Sequence, residues 1–399
     1  MPDTTAQSRS GTGHYLVLFH QDRMEAGIRH LSDLAQLRIQ RRTEEGLGAL
    51  DEACALVFDH IGVAFVRCSE PARVRLVEAA ADGDSILAVE PERTVHAIGV
   101  NPVAPGGAAA PLQDETVSWG IRAVGADAST QTGQGIRIAV LDTGLDLSHP
   151  DFSGRAITSR SFVAGQPVQD GNGHGTHCAG IAAGPRDPEG GTRYGVAGEA
   201  QLYIGKVLGD EGSGGDGGIL EGINWAVSQG CHIISMSLGS PVEPGQSYSR
   251  VFEEVAKRAL AAGTLIVAAA GNDSHRPDSI APVGHPANCP SIMAVAAVDQ
   301  KLAVAPFSSG GLQGDGGEVN LAAPGVDVLS SWPRPGLYRK LSGTSMATPF
   351  VAGVAALHAQ QDPKARAARL AERLVDSAQA LDDSYRDVGA GLVRAPDAE

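Results

Sequence analysis

"LSGTSMATPFVAGVAALH" (residues 341–358) contains no Asp, Glu, Lys or Arg. After Gly343 the run is nearly all small or apolar, so it reads as a helix buried inside a domain. Pro349 falls one turn in, where a proline withholds the N–H that would bond back to the Ser345 carbonyl. Such a helix needs a sheet to pack on, and the sequence before it supplies one. "GIRIAVLD", "AQLYIGKVL", "HIISMSL", "TLIVAAAGN" and "SIMAVAAV" are almost continuously apolar. Runs of that kind suit strands of a parallel sheet covered on both faces. Between them, "GILEGINWAVSQG" and "YSRVFEEVAKRALAAG" have helical periodicity and end in glycine. The expected fold class is α/β, a doubly wound and mostly parallel sheet, over residues 112–399.

A smaller unit precedes it. In residues 14–98, "HYLVLF" reads as a strand and Met24 to Arg38 as a helix. "ALVFDHIGVAFVRC" reads as two strands, "PARVRLVEAAADG" as a helix closed by glycine, and "ILAVEPERTVHAI" as a last strand. This β-α-β-β-α-β order is the split βαβ, or ferredoxin-like, α+β pattern. Residues 1–13 read as a flexible N-terminus. "GVNPVAPGGAAAP" (99–111) reads as an exposed linker.

The 399 residues carry a formal net charge of −15, with 42% hydrophobic residues and few aromatics. A chain this acidic, without basic clusters, is not built for nucleic acid or an anionic membrane surface. Its apolar runs are too short for a membrane span. The start, "MPDTTAQSRSGTGHYLVLFHQDR", lacks the pattern of a secretory signal. The expectation is cytoplasmic as the sequence stands, or secreted if a signal lies upstream. Five widely spaced cysteines without a C-x-x-C pair read as mostly buried free thiols.

In an open α/β sheet, chemistry gathers beyond the carboxyl ends of the strands. There the sequence places a carboxylate (Asp142 in "VLDTG"), an imidazole (His174 in "GNGHGTHCAG") and an amide (Asn272 in "AAAGND"). Ser345 adds a hydroxyl. Singly, each has an ordinary reading. Asp142 lacks the second DTG or DSG of an aspartic-protease dyad. His174 and His177 share a helix face, yet Gly and Thr stand where a metalloprotease H-E-x-x-H motif needs glutamate. Asn272 reads as a turn residue, and Ser345 as a helix cap.

Together, "VLDTGLDLSHPDF", "HGTHCAGIAAG", "AAAGN" and "SGTSMATPFVAG" resemble the four signature regions of the subtilases, the subtilisin-like serine proteases. The likeness runs from about residue 115 to 395. The order Asp, His, Ser is also that of subtilisin. The resemblance implies a subtilisin-like sheet and a serine endopeptidase acting through an acyl-enzyme. It makes Asp142, His174 and Ser345 the catalytic triad and Asn272 the oxyanion-hole donor.

The resemblance further implies that Ser237, Leu238 and Gly239 in "SMSLGS" pair with an extended peptide or protein substrate. Gly212, Ser213 and Gly214 would flank its other side. Gly284 matches a position at the base of the first specificity pocket and suggests large apolar residues before the cut. Asp216 departs from the family, many of whose members carry an aromatic pocket wall there. Cys178 resembles a thiol near the active site of some members. No cofactor is needed for the chemistry. Asp151 matches a structural calcium ligand, although "GPRDPEGGTRYGVAG" departs from the family's calcium loop. Residues 14–98 resemble an inhibitory propeptide whose end, "VHAI" (95–98), would block the cleft and be removed by self-processing. Two other readings remain: a catalytically silent binding protein on the same scaffold, and a metal-dependent hydrolase using His174 and His177. Within the protease class, degradative and dedicated processing roles are both open.

Overall fold

The structure, a computed structural model, describes residues 13–41, 54–98, 116–312 and 316–397. The expected linker 99–111, and the expected flexible N-terminus apart from Gly13, lie outside the described residues. The chain forms two compact units, Met1–Arg93 and Thr94–Glu399.

The first unit contains β1 (His14–Phe19), α1 (Met24–Ala35), β2 (Arg38–Arg41), β3 (Cys54–Phe58), β4 (Val63–Arg67), α2 (Glu70–Asp82) and β5 (Ile86–Pro91). Its sheet runs β2-β3-β4-β1-β5. Without β2, this is the antiparallel order of the split βαβ pattern. The edge strand β2, parallel to β3, was not expected, because "RIQR" shows no buried alternation. The first helix stops at Ala35 rather than Arg38, since Gln36 turns to a left-handed conformation and closes it. Val17, Phe19, Leu31, Val57, Val66 and Leu76 form the core. The expected last strand, 86–98, is in fact two. Pro91 ends β5, and Thr94–Ala97 forms β6 in the second unit.

The second unit continues with α3 (Trp119–Ala123), β7 (Arg137–Asp142), β8 (Thr158–Ser161), α4 (His174–Ala183), β9 (Gln201–Lys206), β10 (Ser213–Gly215), α5 (Asp216–Ser228), β11 (Ile233–Met236) and β12 (Leu238–Gly239). Then follow α6 (Arg250–Ala261), β13 (Leu265–Ala269), β14 (Met293–Val298), β15 (Leu321–Pro324), β16 (Val328–Trp332), β17 (Leu337–Leu341), α7 (Thr344–Gln361), α8 (Ala368–Asp376) and α9 (Tyr385–Val388).

Seven strands make one sheet in the order β15-β14-β13-β11-β7-β9-β8, every neighbouring pair parallel. Ile138, Val140, Ile233, Val267 and Val295 share a core with Ile181 of α4 and with Phe350, Val351 and Val354 of α7. The alternating residues Ala139, Leu141, Ile234 and Ile266 are buried as well, and α5 and α6 lie against these strands. Cover on both faces is why the strands are apolar throughout. Each large side chain buried in this way contributes ~1.5–3 kcal/mol. The α7 helix is buried from Thr344 to Ala359, as its composition predicts. The strand order reverses between β7 and β11, which sets the ligand crevice beyond their carboxyl ends.

No helix among the described residues is long and apolar enough to cross a membrane. All five cysteines are free, four of them buried.

Candidate active site

Asp142 ends β7, and His174 is the first residue of α4. Both are buried, and His174 Nδ1 lies 2.8 Å from Asp142 Oδ1. A carboxylate only accepts, so Nδ1 carries a proton, and in the neutral ring Nε2 keeps the lone pair. That Nε2 is buried and has no hydrogen-bond partner among the described residues. Burial works against the imidazolium, but Asp142, and after it Cys178, outweigh burial and hold His174 well above its ordinary value of 6.5.

The sequence reading missed the residue that anchors this histidine. Asp170 receives five hydrogen bonds. Oδ1 accepts from Thr143 Oγ1 (2.9 Å), Asn172 N (3.0 Å) and Gly173 N (2.8 Å), and Oδ2 from Thr176 N (2.9 Å) and Oγ1 (2.7 Å). Thr143, next to Asp142, accepts in turn from Gly175 N at 2.8 Å. The two loops that carry the Asp–His pair are thereby locked to each other. An aspartate just ahead of a helix start is a capping signal, and "QDGNGHG" contains one. Gly173 has φ +106°, and a Cβ there would lie 2.5 Å from the Trp332 ring, so both conformation and space require glycine.

His177 is committed elsewhere. Its Nε2 lies 3.1 Å from the Val328 carbonyl and 3.0 Å from that of Arg339, and burial pushes the ring down to about 3. With His174 bonded to Asp142, the two imidazoles do not form the shared ligand pair of the metal-hydrolase reading.

Ser345 is the second residue of α7. Gly343 is the N-cap, and no side-chain capping bond is made. The serine is therefore not a cap. Its hydroxyl donates towards the carbonyls of Ile98 and Ser237, the latter at 3.1 Å. Among the described residues His174 Nε2 has no hydrogen-bond partner, so the Ser345 hydroxyl is directed to the two carbonyls and not to the imidazole. Cys178 joins the two places, with Sγ 3.8 Å from His174 Nδ1 and 3.6 Å from the Ser345 carbonyl. That carbonyl, which Pro349 cannot reach with an N–H, also accepts from Ser237 Oγ at 2.8 Å. The bond lost to proline is thus replaced by side chains from β11–β12 and α4.

Asn272 follows β13. Its Oδ1 accepts from Thr344 N and Oγ1, both at 2.9 Å, which fixes the amide orientation. Nδ2 then donates to the Ile98 carbonyl at 3.2 Å. The strand that leads directly into Ile98, β6, lies between β10 and β12, antiparallel to both. Ala97 N donates to Gly212 O (2.9 Å) and Ile98 N to Ser237 O (3.2 Å). Ser213 pairs with His96, Gly214 with Val95, Leu238 with Ala97 and Gly239 with His96. All six residues expected along the peptide track are therefore brought together. Gly239 is required by close approach, since a Cβ would meet His285 O at 2.5 Å and Ile98 Cδ1 at 2.9 Å. At Gly284, a Cβ would lie 2.8 Å from the Ser240 carbonyl, so backbone packing alone accounts for that glycine.

Asp151 stands outside this group. Its Oδ2 accepts from the hydroxyls of Tyr194 (2.5 Å) and Tyr338 (3.0 Å), and its Oδ1 from Glu189 N (2.9 Å). Burial, and then the Asp151 charge, hold both phenols above their ordinary range, so they stay protonated donors. A calcium ion needs acceptor oxygens around it. Here proton donors surround the carboxylate, and the residues do not fit the ion.

The subtilase family, peptidase S8, matches residues 133–391. Subtilisin Savinase of Lederbergia lenta is 41% identical over 285 residues, covering 70% of this chain and 98% of that protein. Alkaline elastase YaB of Bacillus sp. (strain YaB) is 42% identical over 285 residues, 70% of each chain. Subtilisin E of Bacillus subtilis (strain 168) is 40% identical over 284 residues, again 70% of each. A parallel sheet with an Asp–His pair and a helix-borne serine at its switch point, joined to this similarity, places the chain in the subtilase family of serine endopeptidases.

Proposed function

We propose that Ser345, His174, Asp142 and Asn272 carry the peptide-bond hydrolysis, and that the chain's first substrate is its own segment ending at Ile98. The observation that supports this is one carbonyl: Ile98 O accepts from both Asn272 Nδ2 and the Ser345 hydroxyl. A bound peptide would lie there with the bond to be cut at Ser345, held by strand addition along β10 and β12.

In this mechanism His174 Nε2 takes the Ser345 proton as Oγ attacks the carbonyl carbon. The resulting oxyanion receives the Asn272 amide. Collapse breaks the C–N bond, the proton passes from His174 to the leaving amine, and the acyl group stays on Ser345. Water, deprotonated by His174, then attacks the ester and releases the acid. Asp142 holds the tautomer and stabilises the imidazolium. Cutting after Ile98 separates the ferredoxin-like unit and its β6 tail from the chain that follows, the behaviour of a propeptide. No calcium ligation by Asp151 enters this reading.

The pH profile tests the assignment. His174 acts as base only when neutral, and its value is raised, so activity is lost as pH falls through a midpoint above 6.5. The acid limb of kcat/KM for the trimmed enzyme should show that midpoint. Asp142→Asn should lower kcat about 10⁴-fold and move the limb down. A limb below 6.5 that Asp142→Asn leaves in place would contradict the pairing.

A further inference from the structure

Lys206 is a fully buried cation beside the Asp–His pair, and the chemistry above does not use it. It ends β9 as Asp142 ends β7, and the two residues pair in the parallel ladder. An ammonium is costly to bury, so it must find partners. Its Nζ donates to the Thr143 carbonyl at 2.5 Å and to Asp210 Oδ1 at 2.7 Å. The Asp210 side chain is half exposed, and the hydrogen bond from Lys206, chiefly, holds its carboxyl below the ordinary carboxylate range.

Each partner leads to one member of the Asp–His pair. Thr143 N donates to Asp142 Oδ1 at 2.7 Å, the same oxygen that accepts from His174 Nδ1. Thr143 Oγ1 is already tied to Asp170 and Gly175, so Lys206 takes the last polar atom of Thr143, its carbonyl. On the other side, Asp210 Oδ1 also accepts from Gly171 N at 3.2 Å, and the Asp210 carbonyl from Asn172 Nδ2 at 3.0 Å. Asn172 Oδ1 in turn accepts from His174 N at 3.3 Å. One ammonium is therefore linked through Thr143 to the carboxylate and through Asp210 to the turn that starts α4. Stability is a weak reason for such a lysine, because apolar packing of similar volume often serves a fold as well as a buried ion pair.

We propose that Lys206 is a positioning residue of the hydrolysis: it holds Asp142 and His174 in register by fixing the Thr143 carbonyl and Asp210 at once. This rests on the triad reading above. A misplacement of about 1 Å among reacting groups costs ~100-fold in rate.

The test is a double-mutant cycle on the trimmed enzyme, with kcat and KM measured on the peptide anilide Val-His-Ala-Ile. Lys206→Met keeps the bulk and removes the charge and the donor. It should lower kcat ~100-fold and leave KM nearly unchanged. In Asp142→Asn, where the carboxylate is already gone, the same substitution should cost little more, since residues that act as one unit are not additive. Should Lys206→Met not fold, Asp210→Ala, which leaves the ammonium only the Thr143 carbonyl, carries the same expectation through the same cycle. A folded Lys206→Met enzyme with wild-type kcat, or a loss carried by KM, would overturn the positioning role alone. So would the full loss repeated in Asp142→Asn. Failure of wild type both to cleave and to label at Ser345 would instead defeat the functional reading beneath it.

Discussion

Ser345→Ala is expected to lower turnover on an unstructured protein substrate on the order of a millionfold, a magnitude carried over from subtilisin. The serine hydroxyl supplies the only covalent bond to the acyl group in the proposed chemistry. Removing it leaves the Asn272 donor and the peptide track, which by themselves retain ~10³- to 10⁴-fold over water. The substitution is small at a buried position, so the fold should persist and thermal unfolding should be nearly unchanged. The same change should block maturation. Wild type should yield a chain beginning at Gly99, because the Ile98 carbonyl is the one held at Ser345. Ser345→Ala should remain full length. A trimmed Ser345→Ala chain with the Gly99 start, made without another protease, would contradict the assignment.

Asn272→Ala should lower kcat ~100- to 1000-fold with little change in KM, again a magnitude known from subtilisin. The split follows from geometry. The side-chain oxygen is held by two donors from Thr344, so the amide nitrogen faces the cleft without reorganising. In the ground state it makes one 3.2 Å contact with a carbonyl. On attack, that oxygen becomes an anion and the same contact strengthens. An effect carried mainly by KM would mean that Asn272 helps bind peptide rather than stabilise the oxyanion.

Much of the fold could be read from apolar runs, because strands covered on both faces leave an unbroken signal in residues such as 137–142 and 265–269. Short or polar elements left none. Strand β8 is "TSRS" at the sheet edge, and β15 is four residues ending in proline. The division of 86–98 into β5 and β6 was also hidden, since an extended run does not encode which sheet it joins. The four candidate site residues were legible as motifs, Asp142 and Asn272 at or just after strand ends and His174 and Ser345 at helix starts. Their supports were not, because Asp170, Thr143 and Ser237 act through hydrogen bonds between loops distant in the chain. The Lys206–Thr143 link, between residues 63 positions apart, is of the same kind. Asp151 shows the converse. Its motif points to calcium, but the tyrosines that surround it come from two later segments.

Reaction of the trimmed enzyme with a serine-directed organophosphorus probe, located by peptide mass spectrometry, tests the account most directly. A single adduct on Ser345, lost in His174→Ala, is the predicted result. A correctly folded, trimmed protein that takes up no label, or takes it elsewhere, would contradict it.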